Sequence, residues 1–146
     1  MIETMKKLAK GKDLCVLATV SGQQPHCSLM AYATDDNCSE IYMATYRNTK
    51  KFKNLVVNPS VSLLIDTREE HRGPQRPAAK AMTISGVFER LEDEERKARA
   101  RAGLLRRHPH LREFLEHPDA EVFCIKIHSF LLLDGLTDAH FEEIPR

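Results

Sequence analysis

Strand-forming runs follow one another in this chain with almost nothing between them, and that spacing limits the fold more than any other feature. Leu14–Val20 passes through Ser21-Gly22-Gln23-Gln24-Pro25 into His26–Thr34, and Asp35-Asp36-Asn37-Cys38-Ser39 turns that run into Glu40–Ala44. Both junctions hold residues that form tight turns. A parallel pair needs a crossover of about a dozen residues or more, so connections this short permit only antiparallel neighbours. Val61–Thr67, Lys80–Leu91 and Glu121–Leu133 bring the expected strands to six. Six strands around one sheet suit a small closed or nearly closed barrel, because closure removes edges that would otherwise recruit other strands. The expected class is mainly β (α+β): a six-stranded antiparallel barrel with peripheral helices, forming one domain over residues 1–146.

The helical segments lie at the margins of this pattern. Ile2, Met5 and Leu8 form an apolar stripe that ends near Gly11. Glu92–Arg107 is strongly helical, with Glu92, Asp93, Glu94 and Glu95 leading and Arg96, Lys97, Arg99, Arg101, Arg106 and Arg107 following. Acids first and bases last is the order the helix dipole favours, so the segment reads as a solvated helix. With no aromatic platform nearby, it is not read as a nucleic-acid surface. Pro109 opens a shorter helix, His110–Glu116, whose apolar face is Leu111, Phe114 and Leu115. Arg68–Ala79 contains Gly73, Pro74 and Pro77 and is a loop; Gly86, inside the fifth strand, marks a bulge or a close backbone approach. In the sixth strand Phe123, Ile125 and Ile127 point one way, and Val122, Cys124 and Lys126 the other.

The formal net charge of +1 gives no global attraction to nucleic acid or an anionic membrane. No apolar run approaches the length of a membrane span, and Met1–Lys7 lacks an apolar signal core, so the expected location is cytoplasmic. Cys15, Cys27, Cys38 and Cys124 have no zinc or redox spacing. Cys15 and Cys124 fall in apolar strand patterns and are expected to be buried, whereas Cys38, in a polar turn, is expected to be exposed. Cys27 has no evident base and is not read as a nucleophile. His108, His110 and His117 form no His-x-x-x-His pair, and Pro109 interrupts them, so they are expected at the surface and no metal site is read.

The segment from Ile41 to Ile65 carries the chemistry. A strand ends in Tyr46-Arg47-Asn48, a helix opens at Thr49-Lys50-Lys51, and Asn58-Pro59 closes it before the next strand. Phe52, Leu55 and Val56 recur at helical spacing and can pack on a sheet. With Asn48 or Thr49 as N-cap, free backbone N–H groups stand beside the ammonium groups of Lys50 and Lys51. Donors, the positive end of the helix dipole and two cations at one point suit a phosphate.

In this order the run resembles the flavin-phosphate segment of the pyridoxamine 5′-phosphate oxidase-like family, the FMN-binding split β-barrels. Thr45 falls on the family's strand-end threonine, Thr49-Lys50-Lys51 on its Ser-Arg-Lys turn, and Asn58–Leu64 on its return strand. The likeness extends from Leu14 to about Glu89, and Leu132–Phe141 has the character of the last strand. It implies a six-stranded antiparallel split β-barrel and a homodimer with FMN at the subunit interface. The implied phosphate residues are Thr45, Thr49, Lys50 and Lys51; His26, Ser28, Met30, Met43, Ala44 and Tyr46 would line the ring or ribityl chain, with Met82 and Phe130 reaching across the dimer. The implied activity is that of an FMN-dependent oxidoreductase acting on a small substrate that the sequence does not name. The other reading is a cofactor-binding module without turnover, holding FMN, a deazaflavin or haem. The chain departs from members that oxidise pyridoxamine phosphate, which place arginine where His26 and Lys50 stand and glutamine on the strand holding Ala81. Phe130–His140 also lacks their basic substrate pair, so vitamin B6 oxidation is not expected. No catalytic acid or base is identified.

Overall fold

The computed structural model describes residues 1–145. In chain order the elements are α1 (Ile2–Gly11), β1 (Leu14–Ser21), β2 (Gln24–Ala31), β3 (Ala33–Thr34), β4 (Glu40–Tyr46), α2 (Lys50–Val57), β5 (Ser60–Asp66), β6 (Lys80–Arg90), α3 (Glu94–Arg107), α4 (Arg112–Glu116), β7 (Ala120–Asp134) and β8 (Asp138–Glu143). All the strand pairs are antiparallel, along the path β2-β1-β5-β6-β7-β4-β3 with β8 added to β7. The two ends of the path, β2 and β3, are one continuous stretch joined through Tyr32. Tyr32 is fully buried; its backbone N–H donates to Asp13 O at 3.0 Å and its hydroxyl to Ala9 O at 2.6 Å. At this residue the chain leaves β1 and passes to β4, so the sheet curls back on itself as a split barrel.

The strand count differs from the expected six. His26–Thr34 divides at Tyr32 into β2 and β3, and the segment taken as a last strand turns at Gly135, φ 73°, into the hairpin partner β8. The split itself comes from one bulge. Ser85 pairs with Ser129 but Gly86 pairs with Ile127, which leaves His128 as the extra residue on β7. Before the bulge β7 gives its other edge to β4, from Ala120 to Lys126; after it, from Ser129 to Asp134, it gives that edge to β8. One long strand therefore serves two half-sheets. Gly86 permits this, since a Cβ there would lie 2.4 Å from Lys126 O.

Alternating residues of the strands fill the barrel. Cys15, Leu17, Ile41, Leu63, Ile65, Ile84, Phe123, Ile125 and Phe130 belong to one cluster of buried side chains, and each large apolar side chain enclosed there contributes about 1.5–3 kcal/mol. Cys124 points the other way, as expected, into a second layer with Leu91 and Ala100, where α3 covers β4 and β7. Arg101 Nη1 donates to Leu115 O at 2.9 Å and ties α4 to α3. Arg107 donates to Lys10 O at 2.6 Å and Lys12 O at 2.9 Å, satisfying carbonyls at the C-terminal end of α1. Among the described residues no helix is long and apolar enough to cross a membrane.

Three local expectations need correction. Cys38 is fully buried, because the turn folds inward: it takes φ 52°, its N–H donates to Asp35 O at 3.1 Å, and its side chain joins the main core. Burial, with the nearby Asp35 charge, pushes its thiol pKa up to about 11. His108 is buried too, with Nε2 2.9 Å from Tyr32 O at the end of α3, whereas His110 and His117 are exposed. On α2, Phe52 and Leu55 pack inward, but Val56 is 50% exposed. Asn54 takes the third inward place, its Nδ2 donating to the buried Thr19 Oγ1 at 3.2 Å.

A cation-flanked cleft at the tip of α2

Thr49 is the N-cap of α2, in extended conformation, with its hydroxyl accepting from Phe52 N–H at 3.3 Å. The same hydroxyl donates to Tyr46 O at 3.0 Å and lies 3.2 Å from Thr45 Oγ1, so Thr45 and Thr49 form one hydroxyl pair between strand end and helix start. Lys53 N–H bonds Thr49 O at 3.2 Å. With Phe52 and Lys53 served, the amides of Lys50 and Lys51 are the donors of the first turn left without a partner among the described residues. The turn that carries this tip is pinned from behind. Arg47 N–H bonds Asp119 O at 3.0 Å, and its guanidinium donates to Pro118 O at 2.6 Å and to Glu121 Oε1 at 3.2 Å.

The tip opens on a cleft of about 250 Å³ lined by Leu29, Met30, Ala31, Ala44, Thr45, Tyr46, Thr49, Lys51, Leu111 and Phe114. One wall is aromatic: Tyr46 stacks on Phe114 with centroids 4.4 Å apart and planes at 16°, and His117 leans on Tyr46 at 4.6 Å. Stacked aromatic side chains, a hydroxyl pair and a cationic helix tip together could receive a molecule with an aromatic system and an anionic tail. The cleft itself is lined by no histidine and no carboxylate.

The structure thus brings together Met30, Ala44, Thr45, Tyr46, Thr49 and Lys51 of the residues expected at the site. Lys50 is exposed at the same helix tip, outside the cleft lining. His26 and Ser28 pair with Thr19 and Leu17 on the sheet face over which α2 lies, beyond the lining. Met43, Met82 and Phe130 are fully enclosed in the main core, so their side chains are spent on packing and do not reach this cleft. Leu111 and Phe114 join the site unannounced. Their apolar face is visible in the sequence, but only the docking of α4 beside Tyr46 turns it toward the cleft.

Solved structures of similar shape carry low sequence identity. A heme binding protein from Mycobacterium smegmatis superposes with TM-score 0.85 at 21% identity, covering 97% of this chain and 57% of that one, so the chain spans little more than half of that relative. An FAD-binding protein from Mesorhizobium loti gives TM-score 0.73 at 20% identity, covering 90% and 93%. General Stress Protein 26 from Bacillus anthracis gives 0.72 at 21%, covering 97% of each chain. No curated protein sequence matches the chain. Residues 1–133 match the sequence model of pyridoxamine 5′-phosphate oxidase, and with the split barrel and the strand–turn–helix cleft described above, the chain belongs to the pyridoxamine 5′-phosphate oxidase family.

Proposed function

We propose that this protein binds FMN noncovalently at the tip of α2 and works as a flavin-dependent oxidoreductase on a small molecule. The carrying observation is the pair of unpartnered amides at Lys50 and Lys51, set beside the Thr45–Thr49 hydroxyls at the mouth of an aromatic-walled cleft. These groups would hold a phosphate by charge-assisted hydrogen bonds, and Ala44, Tyr46, Met30 and Phe114 would bound the ring system. Bound FMN supplies hydride or electron transfer, while the chain's own residues orient it and exclude water. Relatives of the same fold are named for heme and for FAD. The test is a visible absorption spectrum of the purified protein, with mass identification of anything released on denaturation. Flavin bands and FMN in the supernatant are expected; a colourless protein that acquires no flavin absorbance on adding FMN refutes the reading. Reduction of the bound flavin by NADH or NADPH separates an enzyme from a carrier.

The working unit we propose is a homodimer with the flavin at the interface. A row of side chains, apolar except for Thr83, crosses the outside of the sheet in register: Leu29 opposite Val16, Val16 opposite Leu64, Leu64 opposite Thr83, Thr83 opposite Leu131, and Leu131 opposite Phe141. Leu29 is 72% and Phe141 59% exposed. Leu14, Val16, Leu29 and Leu64 also floor a concavity of about 310 Å³ rimmed by Lys12, Asp66, Arg68, Glu69 and Glu70. An apolar centre with a charged rim is the anatomy of a protein interface. Leu64→Asp with Leu131→Asp is expected to convert a dimer to a folded monomer, read by light scattering, with loss of most flavin. A dimeric double variant would place the interface elsewhere.

A further inference from the structure

The basic side chains of α3 do not all face solvent idly, and the fold commits most of them. Arg96 sits between two carboxylates, Nη1 at 2.7 Å from Glu89 Oε1 and Nη2 at 3.0 Å from Glu40 Oε1. Lys97 pairs with Glu94, Arg101 donates to Leu115 O, and Arg107 donates to the carbonyls of Lys10 and Lys12. Arg99 and Arg106 alone of this set have no ion pair or hydrogen bond among the described residues. Both line a cavity of about 460 Å³ between α3 and the turn joining β3 to β4, and it shares no lining residue with the cleft at α2.

Arg99, Gly103 and Arg106 stand at i, i+4 and i+7, so they occupy one helix face, the two arginines rooted roughly 10 Å apart along the axis. Gly103 lies between them against the Tyr42 ring, where a Cβ would stand 3.6 Å from Tyr42 Cδ2. Tyr42 lines the cavity, and its hydroxyl has no partner among the described residues and is not enclosed. Burial pushes the Tyr42 pKa up to about 12, so the hydroxyl is a donor at neutral pH. The facing acids keep their charge, which Arg96 offsets at Glu40, and the fold pins two of them in place. Asp35 accepts from Ser39 N–H at 2.8 Å, Glu40 N–H at 2.9 Å and Ser39 Oγ at 2.6 Å, while Glu40 is held by Arg96. Asp36 and Asn37 remain on that wall to accept from a hydroxyl or amino group.

We infer that this cavity is a second ligand site, taking a small hydroxylated or amino-bearing molecule with two anionic groups, phosphate or carboxylate, held by Arg99 and Arg106 across the Gly103–Tyr42 floor. The site is independent of flavin binding and stands whether or not the α2 cleft holds FMN. Calorimetric titration of the full chain with fructose 1,6-bisphosphate and, separately, galactarate, a hydroxylated six-carbon dicarboxylate, distinguishes a phosphate from a carboxylate ligand. Saturable, salt-sensitive binding of at least one probe is expected. Arg99→Gln and Arg106→Gln should each weaken it about tenfold, and the double variant should abolish it. Both positions are exposed, so these variants keep the fold, which circular dichroism checks. The variant with Lys50→Ala and Lys51→Ala should bind the probe as the wild type does. The assignment is overturned if the wild type binds neither probe, if the Arg99/Arg106 double variant binds unchanged, or if binding is lost in the Lys50/Lys51 variant instead.

Discussion

Replacing Lys50 and Lys51 together by alanine is expected to weaken FMN binding by about 2–3 kcal/mol, on the order of a hundredfold in Kd. Two ammonium groups leave the helix tip, while the amides, the Thr49 cap and the Thr45 hydroxyl stay. What remains is the dipole and backbone part of an anion site, so binding should weaken and not vanish. Neither lysine forms an ion pair among the described residues, so their loss strands no partner charge and the fold should hold. Flavin fluorescence titration reads the affinity, and a thermal melt of the flavin-free protein confirms that stability is unchanged. Wild-type affinity in the folded double variant would remove the assigned anchor. A salt titration adds an independent check, because attraction between exposed cations and a phosphate dianion is screened over roughly 10 Å at 0.1 M.

The second large effect concerns the backbone. Gly86→Ala should destabilise the protein by about 3 kcal/mol, at the upper end of what overpacking a core costs. A Cβ at this position would stand 2.4 Å from Lys126 O, 2.9 Å from Ile125 Cγ2 and 3.2 Å from Lys126 C. Two of these three atoms are backbone of β7, held on one side by β6 and on the other by β4, so the obstacle is not a flexible side-chain end. Relief would have to come from shifting the bulge at which β7 changes partners. Urea unfolding should show the midpoint falling with little change in slope. Gly103→Ala is the matched control, since its Cβ would meet only side-chain atoms at 3.6 Å and beyond in ordinary contact. That exchange, inside a helix, should be neutral or slightly stabilising. Equal losses at both glycines would show that the close approach to Lys126 is not what selects Gly86.

Much of this was legible in the chain because the causes are local. Short turns forced antiparallel pairing, two-residue alternation separated the two faces of β7, and a hydroxyl before two lysines marked the start of α2. Gly86 signalled a close approach for the same reason: only a missing side chain tolerates it. The errors were long-range in origin. Tyr32 could not be read as a break in a strand, because its bend is held by Asp13 and Ala9, which come from an earlier part of the chain. Cys38 and His108 lie in polar surroundings in the sequence and are buried only because α1 and α3 close over the β3–β4 region.

The candidate cleft divides along the same line. The sequence alone determined the cationic, capped helix tip and the strand feeding it, since capping, dipole and charge act within a few residues. Tertiary structure decided which residues surround that tip. Met43, Met82 and Phe130 are site residues only by the family resemblance, and barrel closure encloses them, while Leu111 and Phe114 arrive from a segment more than sixty residues away. Alternation states which residues share a face of a strand; only the curvature of the finished sheet states what that face meets.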